Sequence, residues 1–218
     1  LVSEIHAQGK NVVVVGGTGL YIKALLDDLN FPDTDPAVRE KLEAEALELG
    51  AQSLYERLQQ LDPAAALAID RANTRRVIRA LEVIEITGKP FTANLPREDS
   101  TQYPDALQCG LVMDREHLRT RIDDRVDLMW EKGFVAEVDS LIRDGILDGV
   151  TAQRAIGYSS LIAMRAGKMS EGEAKEETKR ATRQYARRQE TWFSRDARIN
   201  WISPQSDRFA TIMQKINS

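Results

Sequence analysis

A run of four valines, Val12–Val15, is followed at once by Gly16-Gly17-Thr18-Gly19, and this junction narrows the choice of fold. Continuous rather than alternating apolarity is typical of a strand buried on both faces, as in the centre of a parallel sheet. An apolar stretch over 20–26 then completes a strand–loop–helix unit. Ligands bind beside the carboxyl ends of strands in such sheets. The segment therefore predicts an α/β fold, with either a ligand loop or a tight turn at the glycines.

The next segment has a different pattern, with helix signals and no strand signal. Asp-Pro pairs at 35–36 and 62–63 supply N-caps followed by proline at the first helical position. A further helix is predicted over 73–87, with an apolar stripe and a terminating Gly88. These signals predict an all-helical insertion at residues 35–100.

Two more strands are predicted beyond the insertion, at 107–113 and 199–202, with helices between them. We therefore expect a discontinuous, partial α/β core made of residues 1–34 and 101–218. The first strand lies ten residues from Leu1. On this ground we expect the chain to begin inside a domain.

Composition limits the class of protein. The 218 residues carry a net charge of −4, are 42% hydrophobic and contain one cysteine, Cys109. These values are typical of a soluble globular protein without an internal disulfide, in a reducing compartment. The valine run is far shorter than the ~20 apolar residues of a membrane span. We expect a cytoplasmic protein that does not associate with membranes.

Residues 71–79 contain four arginines and no acidic side chain, in a chain that is acidic overall. Helical spacing brings three of them onto one face. Guanidinium groups suit phosphate oxygens and base edges, so the cluster favours a phosphate or nucleic-acid contact. The alternative is a solvated face that pairs with Glu82 and Glu85. The three arginines are Arg75, Arg76 and Arg79.

A second basic stretch, 179–198, holds seven basic and two acidic residues, a net charge of +5. Arg183 lies on one helical face with Arg180 and Arg187, and aromatic residues are interspersed. Basic faces with aromatics are typical of RNA binding, so Arg183 is a candidate RNA contact. The alternative is an amphipathic helix whose aromatics pack into the core, and for the aromatics we favour it.

Arg121 and Arg125 are four residues apart, so they share one helical face on which both can reach a diphosphate. The alternative is that they pair with nearby carboxylates. Arg39 follows an Asp-Pro helix start, where the helix dipole disfavours a cation, which suggests a partner elsewhere. The histidines, His6 and His117, have no ligand at metal spacing, so no metal site is predicted.

Six stretches, in order and along essentially the whole chain, resemble the tRNA dimethylallyltransferase (tRNA isopentenyltransferase) family. Each is a weak signal alone, but their shared order makes the resemblance specific. The stretches are Val15–Tyr21, Asp35–Arg39, Asn73–Val83, Arg121–Val126, Ala155–Tyr158 and Thr182–Phe193.

The resemblance implies a fold, a reaction and partners. The expected fold is a P-loop-NTPase-like parallel-sheet core with an inserted helical domain that grips the anticodon arm of a tRNA. The expected reaction transfers a dimethylallyl group from dimethylallyl diphosphate to N6 of the adenosine 3′-adjacent to the anticodon. Mg²⁺ accompanies the diphosphate in this family, and we expect a monomer.

The resemblance also implies roles for individual residues. Thr18 matches a threonine that contacts the target nucleotide in the reaction channel. Arg39 matches a tRNA-contacting arginine, and Arg75–Arg79 occupies a tRNA-contacting segment. Arg125 matches an arginine implicated in diphosphate binding and catalysis, with Arg121 beside it as a second diphosphate contact.

Two features of the family are missing from this sequence. Its members open with a Gly-x-x-x-x-Gly-Lys-Thr loop, followed by an aspartate that binds the adenine and serves as base, and neither occurs here. We expect the sequence to begin after both, and the chain alone to be inactive. The alternatives are an adenylate isopentenyltransferase, against which the helical insertion argues, and a non-catalytic RNA-binding fragment.

Overall fold

The computed structural model of the protein describes residues 1–27, 32–94 and 101–217. The chain forms two compact units, one of Leu1–Gly19 with Leu107–Ser218 and one of Leu20–Ala106. The end of the predicted insertion, residues 95–100, lies outside the described residues. The domain limits at 34 and 101 stay a prediction.

Helices dominate both units, and the bounds follow in chain order. They are α1 (Val2–Ala7), α2 (Gly19–Leu26), α3 (Pro36–Leu49), α4 (Ala51–Leu61), α5 (Pro63–Ala68), α6 (Thr74–Thr87), α7 (Arg115–Glu131), α8 (Phe134–Arg143), α9 (Tyr158–Arg165), α10 (Glu171–Phe193) and α11 (Arg208–Ile216). Short 3-10 turns lie at Phe91–Asn94, Ile146–Asp148 and Ala152–Arg154. The strands are β1 (Gln108–Leu111) and β2 (Ile199–Ile202).

The helical unit forms as the cap signals predict. The Asp35 carboxylate accepts hydrogen bonds from backbone N–H groups in the first turn of α3, at 2.8 and 3.3 Å. Asn73 caps α6 in the same way, and Gly88 ends that helix in the left-handed region at φ 65°. The core of the unit is made of apolar side chains from α3 to α6. Its buried residues include Leu42, Leu54, Leu58, Val77 and Leu81.

The other unit contains a small parallel sheet. β1 and β2 pair in parallel, with Gln108 opposite Ile199 and Leu111 opposite Ile202. The α/β prediction is therefore confirmed at the level of helices with a small parallel sheet. A second core lies among α8, α9 and α10, around Phe134 and Val138. In the part of the chain that the structure describes, no helix is both long and apolar enough to cross a membrane.

The strand predicted over the valine run is wrong. Residues 11–18 have no regular secondary structure, and Val13 and Val15 are 84% and 92% exposed. A strand needs a neighbour to hydrogen-bond with, and none of the described strands runs beside this segment. The strand at 107–113 is confirmed over a shorter range, but it is only half-buried, because β2 is its sole partner among the described strands.

Candidate functional site

The glycine loop lies against the C-terminal part of α10. The Gln189 side-chain amide donates a hydrogen bond of 2.8 Å to the Gly17 carbonyl oxygen. A Cβ added to Gly19 would lie 2.2 Å from the Trp192 ring, whereas one added to Gly16 meets nothing within 4 Å. None of these glycines has a positive φ, so a left-handed turn is not the reason for them. Gly17 and Gly19 allow α10 to approach, and this holds the backbone on both sides of the exposed Thr18.

The aromatic residues of α10 lie outside the two apolar core clusters found among the described residues. Trp192 is 43% exposed, and the Arg188 guanidinium lies 5.7 Å from the centre of the half-buried Tyr185 ring. The expectation that these aromatics pack into the interior is wrong for Trp192, which lies on the glycine loop instead, while Tyr185 and Phe193 are half-buried. The helix therefore presents aromatic and basic side chains together on an accessible surface.

Ion pairs fasten α10 to α7. The Arg183 guanidinium pairs with the Asp123 carboxylate. Lys175 and Lys179 lie 2.7 and 2.8 Å from Asp127. Hydrogen bonds from these two lysines hold the pKa of Asp127 below its ordinary value. Arg183, predicted as an RNA contact, thus also has a structural partner.

Arg121 and Arg125 are exposed on α7, and neither takes part in an ion pair in the described part of the chain. The alternative that they pair with nearby carboxylates is not supported, because the Asp123 carboxylate binds the Arg183 guanidinium instead. Arg121 lines a cavity of about 620 Å³, whereas Arg125, one helical turn further on, does not. Both guanidinium groups are available to an anion.

The cavity lies beyond the carboxyl ends of β1 and β2, where Met113 and Asp114 follow the first strand and residues 204–209 follow the second. This is the edge of a parallel sheet at which ligands bind. Arg208 of α11 also lines it, and its Nη2 donates to the Val112 carbonyl oxygen at 2.8 Å. Its Nε is buried without a partner in the described residues.

Arg39 and Arg79 share one buried partner. The Glu82 carboxylate is fully buried and lies 2.7 Å from the Arg39 guanidinium and 3.1 Å from that of Arg79. It also accepts a hydrogen bond of 3.1 Å from the Asp35 backbone N–H. Burial by itself would raise the pKa of Glu82, but the bonds from both arginines outweigh it and hold that pKa below its ordinary value.

Pairing with Glu82 separates the arginines predicted to bind RNA into a paired and an unpaired group. Arg39 has the partner that its position suggested, and that partner lies within the chain. Arg79 also donates to the backbone carbonyl oxygen of Pro32 at 2.7 Å, so it pins the segment before α3. Arg75 and Arg76 are exposed and form no ion pair among the described residues. Of the solvated-face alternative, only the pairing of Arg79 with Glu82 is found in the described ranges, and it is buried rather than solvated, while Glu85 pairs with Lys41 and Arg57.

The described residues do not bring together a metal site. Across 1–27, 32–94 and 101–217, no three His, Cys, Asp or Glu side chains are grouped so that they can hold an ion.

Two arginines were not predicted as candidates: Arg208, which lines the cavity at the end of the sheet, and Arg119, which lies between α7 and α10. Arg208 begins a helix that was not predicted, although Asp207 as N-cap and the apolar spacing after it are visible signals. Arg119 has no sequence signal of its own, since only the packing of α7 on α10 places it beside Arg183 and Arg187.

Helices with a small parallel sheet, and a cavity beyond the carboxyl edge of that sheet, define the class of protein as α/β. The comparison with protein families makes this specific. The family described as IPP transferase matches residues 1–196. The chain belongs to the IPP transferase family.

A named relative agrees with this assignment. A tRNA dimethylallyltransferase of Thermobifida fusca is 54% identical over 202 residues, which are 93% of this chain and 63% of that protein. The chain thus spans less than two thirds of that relative.

Two solved structures share the fold. One, a tRNA isopentenylpyrophosphate transferase of Staphylococcus epidermidis, is 31% identical with a TM-score of 0.62, over 99% of this chain and 71% of the other. A eukaryotic dimethylallyltransferase acting on tRNA is 26% identical with a TM-score of 0.76, over 98% of this chain and 57% of the other.

Proposed function

We propose that this chain takes part in tRNA modification, by transfer of a dimethylallyl group from dimethylallyl diphosphate to N6 of the adenosine 3′-adjacent to the anticodon. The observation that carries the proposal is the 54% identity to a tRNA dimethylallyltransferase over 93% of this chain. The unpaired arginines on its surface suit both substrates, since a diphosphate and an RNA backbone are anions.

In this reaction N6 forms a bond to C1 of the dimethylallyl group, and the C1–O bond breaks with its electron pair going to the diphosphate. Negative charge therefore grows on the leaving oxygen. Fixed guanidinium groups stabilise such charge, because they are aimed at it before it develops. Arg121 and Arg125 take this role in the proposal. It is supported by the lack of an ion pair to either arginine in the described part of the chain and by the cavity that Arg121 lines.

Thr18 is the proposed contact to the target nucleotide. The Gln189 hydrogen bond and the Trp192 contact fix the loop around it, so its hydroxyl is held on an ordered backbone. The N6 proton must pass to a base, and the resemblance predicts an aspartate that this sequence does not contain. Mg²⁺, a cytoplasmic location and a monomeric state are likewise expectations, and no step above depends on them.

The tRNA is proposed to contact the helical unit at its free arginines. Arg75 and Arg76, at the start of α6, offer guanidinium groups that form no ion pair within the described ranges. Arg39 and Arg79 are held by Glu82, yet 41% and 30% of their side chains stay exposed, so each still has donors to offer a phosphate. On the other unit, Arg183 is the proposed RNA contact of α10.

Arg76→Gln is expected to weaken binding of an anticodon stem-loop and to reduce its salt dependence. Each lost phosphate contact lowers the slope of log K against log salt by about 0.7–0.9. The measurement is fluorescence anisotropy of a labelled stem-loop with this chain at several salt concentrations. Lys89→Gln is the matched control, since it removes one exposed charge beyond the other end of the same helix. An unaltered slope for Arg76→Gln, or equal changes in both variants, would contradict the RNA contact.

A further inference from the structure

The cavity beyond the carboxyl ends of β1 and β2 has two kinds of lining. One part is basic, with Arg121 of α7 and Arg208 of α11. The other part is apolar, with Met113, Pro204 and Phe209. The volume of about 620 Å³ falls within the usual range of small-molecule sites, about 300–1,000 Å³. This combination suits a small ligand with an anionic head and an apolar tail.

Arg208 is the residue whose surroundings point most directly to an anion. Its Nη2 donates to the Val112 carbonyl oxygen at 2.8 Å, which fixes the guanidinium beside the end of β1. Its Nε is buried without a hydrogen-bond partner, and the side chain forms no ion pair, within the part of the chain that the structure describes. A buried donor is costly when it is left unsatisfied, most of all on a charged group. An acceptor on a ligand in the cavity would satisfy it.

Two carboxylates also line the cavity, and they reduce its positive charge without removing it. Asp114 caps α7 and Asp207 caps α11, each accepting a backbone N–H of its own first turn, at 3.0 and 3.1 Å. The N-terminus of a helix carries about half a positive charge, which offsets part of each carboxylate. The ring of His117, which lines the same cavity, offers one more N–H donor. With its two guanidinium groups, the cavity stays suited to an anion.

The apolar part of the lining lies next to these donors. Phe209 directly follows Arg208, and it is 76% exposed although it lines the cavity. Met113 follows β1 and is half-buried, and its sulfur lies 4.0 Å from Nη1 of Arg121. An exposed aromatic ring leaves water when an apolar group covers it, and this burial is favourable. The tail of a ligand whose head lies on the arginines therefore has apolar surface within reach.

We propose that this cavity binds the whole of dimethylallyl diphosphate, with Arg208 as a further diphosphate ligand beside Arg121 and with Phe209 packing on the dimethylallyl tail. The inference rests on the proposed function for the identity of the ligand. It adds two neighbouring residues of α11 that no sequence pattern singled out. Because head and tail have separate partners, the two residues also orient the substrate in the cavity.

The test measures the thermal-unfolding midpoint of this chain in concentration series of inorganic diphosphate and of dimethylallyl diphosphate. A ligand that binds only the folded state raises the midpoint according to its Kd. Arg208→Gln is expected to weaken binding of both ligands about tenfold or more, because it removes a charge-assisted hydrogen bond. Phe209→Ala should weaken binding of dimethylallyl diphosphate about tenfold and leave that of inorganic diphosphate unchanged.

Lys215→Gln is the matched control for a loss of structure. Lys215 also ties α11 to the sheet, through a hydrogen bond of 2.9 Å to Asn200, but it does not line the cavity. Its midpoint without ligand shows what a loosened α11 costs, and its affinity for both ligands should match the unsubstituted chain. Arg208→Lys should recover part of the affinity, since it keeps the charge but loses the paired donors.

The outcomes separate this inference from the proposed function. If neither ligand raises the midpoint of the unsubstituted chain, or if Arg208→Gln binds them as Lys215→Gln does, the cavity assignment is overturned. Dimethylallyl transfer to an anticodon stem-loop then still decides the proposed function. If Phe209→Ala weakens both ligands equally, the tail contact is overturned. If both variants behave as expected and no anticodon stem-loop accepts a dimethylallyl group, the binding site stands and the proposed function fails.

Discussion

Arg125→Ala is expected to lower kcat/KM for dimethylallyl transfer by about a hundredfold or more, the size of effect seen when one donor to a developing negative charge is removed. Arg125 is exposed and has no ion pair among the described residues, so its loss disturbs little else. The effect should therefore appear in turnover or in KM for dimethylallyl diphosphate. The midpoint temperature of thermal unfolding should be unchanged.

The measurement compares steady-state kinetics of the variants in whichever chain supports transfer. Arg125→Lys should recover part of the activity, because it keeps the charge but loses the paired donors. Lys132→Ala, at the C-cap of the same helix, should behave like the unsubstituted chain. Unchanged kinetics for Arg125→Ala would remove Arg125 from the diphosphate site.

Glu82→Gln is expected to destabilise the helical unit by about 2–3 kcal/mol. The buried carboxylate links α6 to α3, since it holds Arg39 of α3, the backbone N–H of the α3 N-cap Asp35, and Arg79 of its own helix. The glutamine keeps the volume but loses the charge and one acceptor. We place the cost at the low end for a broken buried pair because the Arg39 side chain is 41% exposed and partly screened.

Urea unfolding of this chain, followed by circular dichroism, measures that cost. Glu85→Gln is the matched control on the same helix, because its pairs with Lys41 and Arg57 lie at the surface and should contribute less than ~1 kcal/mol. Equal midpoints for the two variants would contradict a structural role for Glu82.

The same carboxylate predicts a pH dependence. Its pKa is lower in the folded state than its ordinary value, so its stabilisation is fully present above the unfolded pKa of about 4.3. The contribution is lost as the pH falls through the lower, folded pKa. The stability difference between the unsubstituted chain and Glu82→Gln should therefore shrink below about pH 4.

Local signals in the sequence were reliable, whereas those that depend on distant partners were not. Asp35 and Gly88 fix helix ends through their own backbone neighbours, and both behave as predicted. The strand at Val12–Val15 failed, because apolarity alone does not supply a hydrogen-bonding neighbour. The pairing of Arg79 with Glu82, three residues apart, is readable from spacing, but that of Arg39 with Glu82 spans 43 residues.

The candidate site shows the same difference between local signals and contacts with distant residues. The arginines were found as basic residues, yet which of them are free depends on tertiary pairing. Arg183 is taken by Asp123, 60 residues away, while Arg125 is left unpaired among the described residues. The steric need for glycine at positions 17 and 19 could not be predicted either, because Gln189 and Trp192, which contact them, lie at the other end of the chain.

The most direct test of the central proposal is transfer of a labelled dimethylallyl group from dimethylallyl diphosphate to an anticodon stem-loop. The assay compares this 218-residue chain with the same chain preceded by a Gly-x-x-x-x-Gly-Lys-Thr segment of the family. We predict transfer to the adenosine 3′ of the anticodon in the extended chain, sensitive to Arg125→Ala, and none in this chain. Transfer by neither chain would contradict the proposed function, and transfer by the 218 residues alone would show that they already contain the base and the phosphate site.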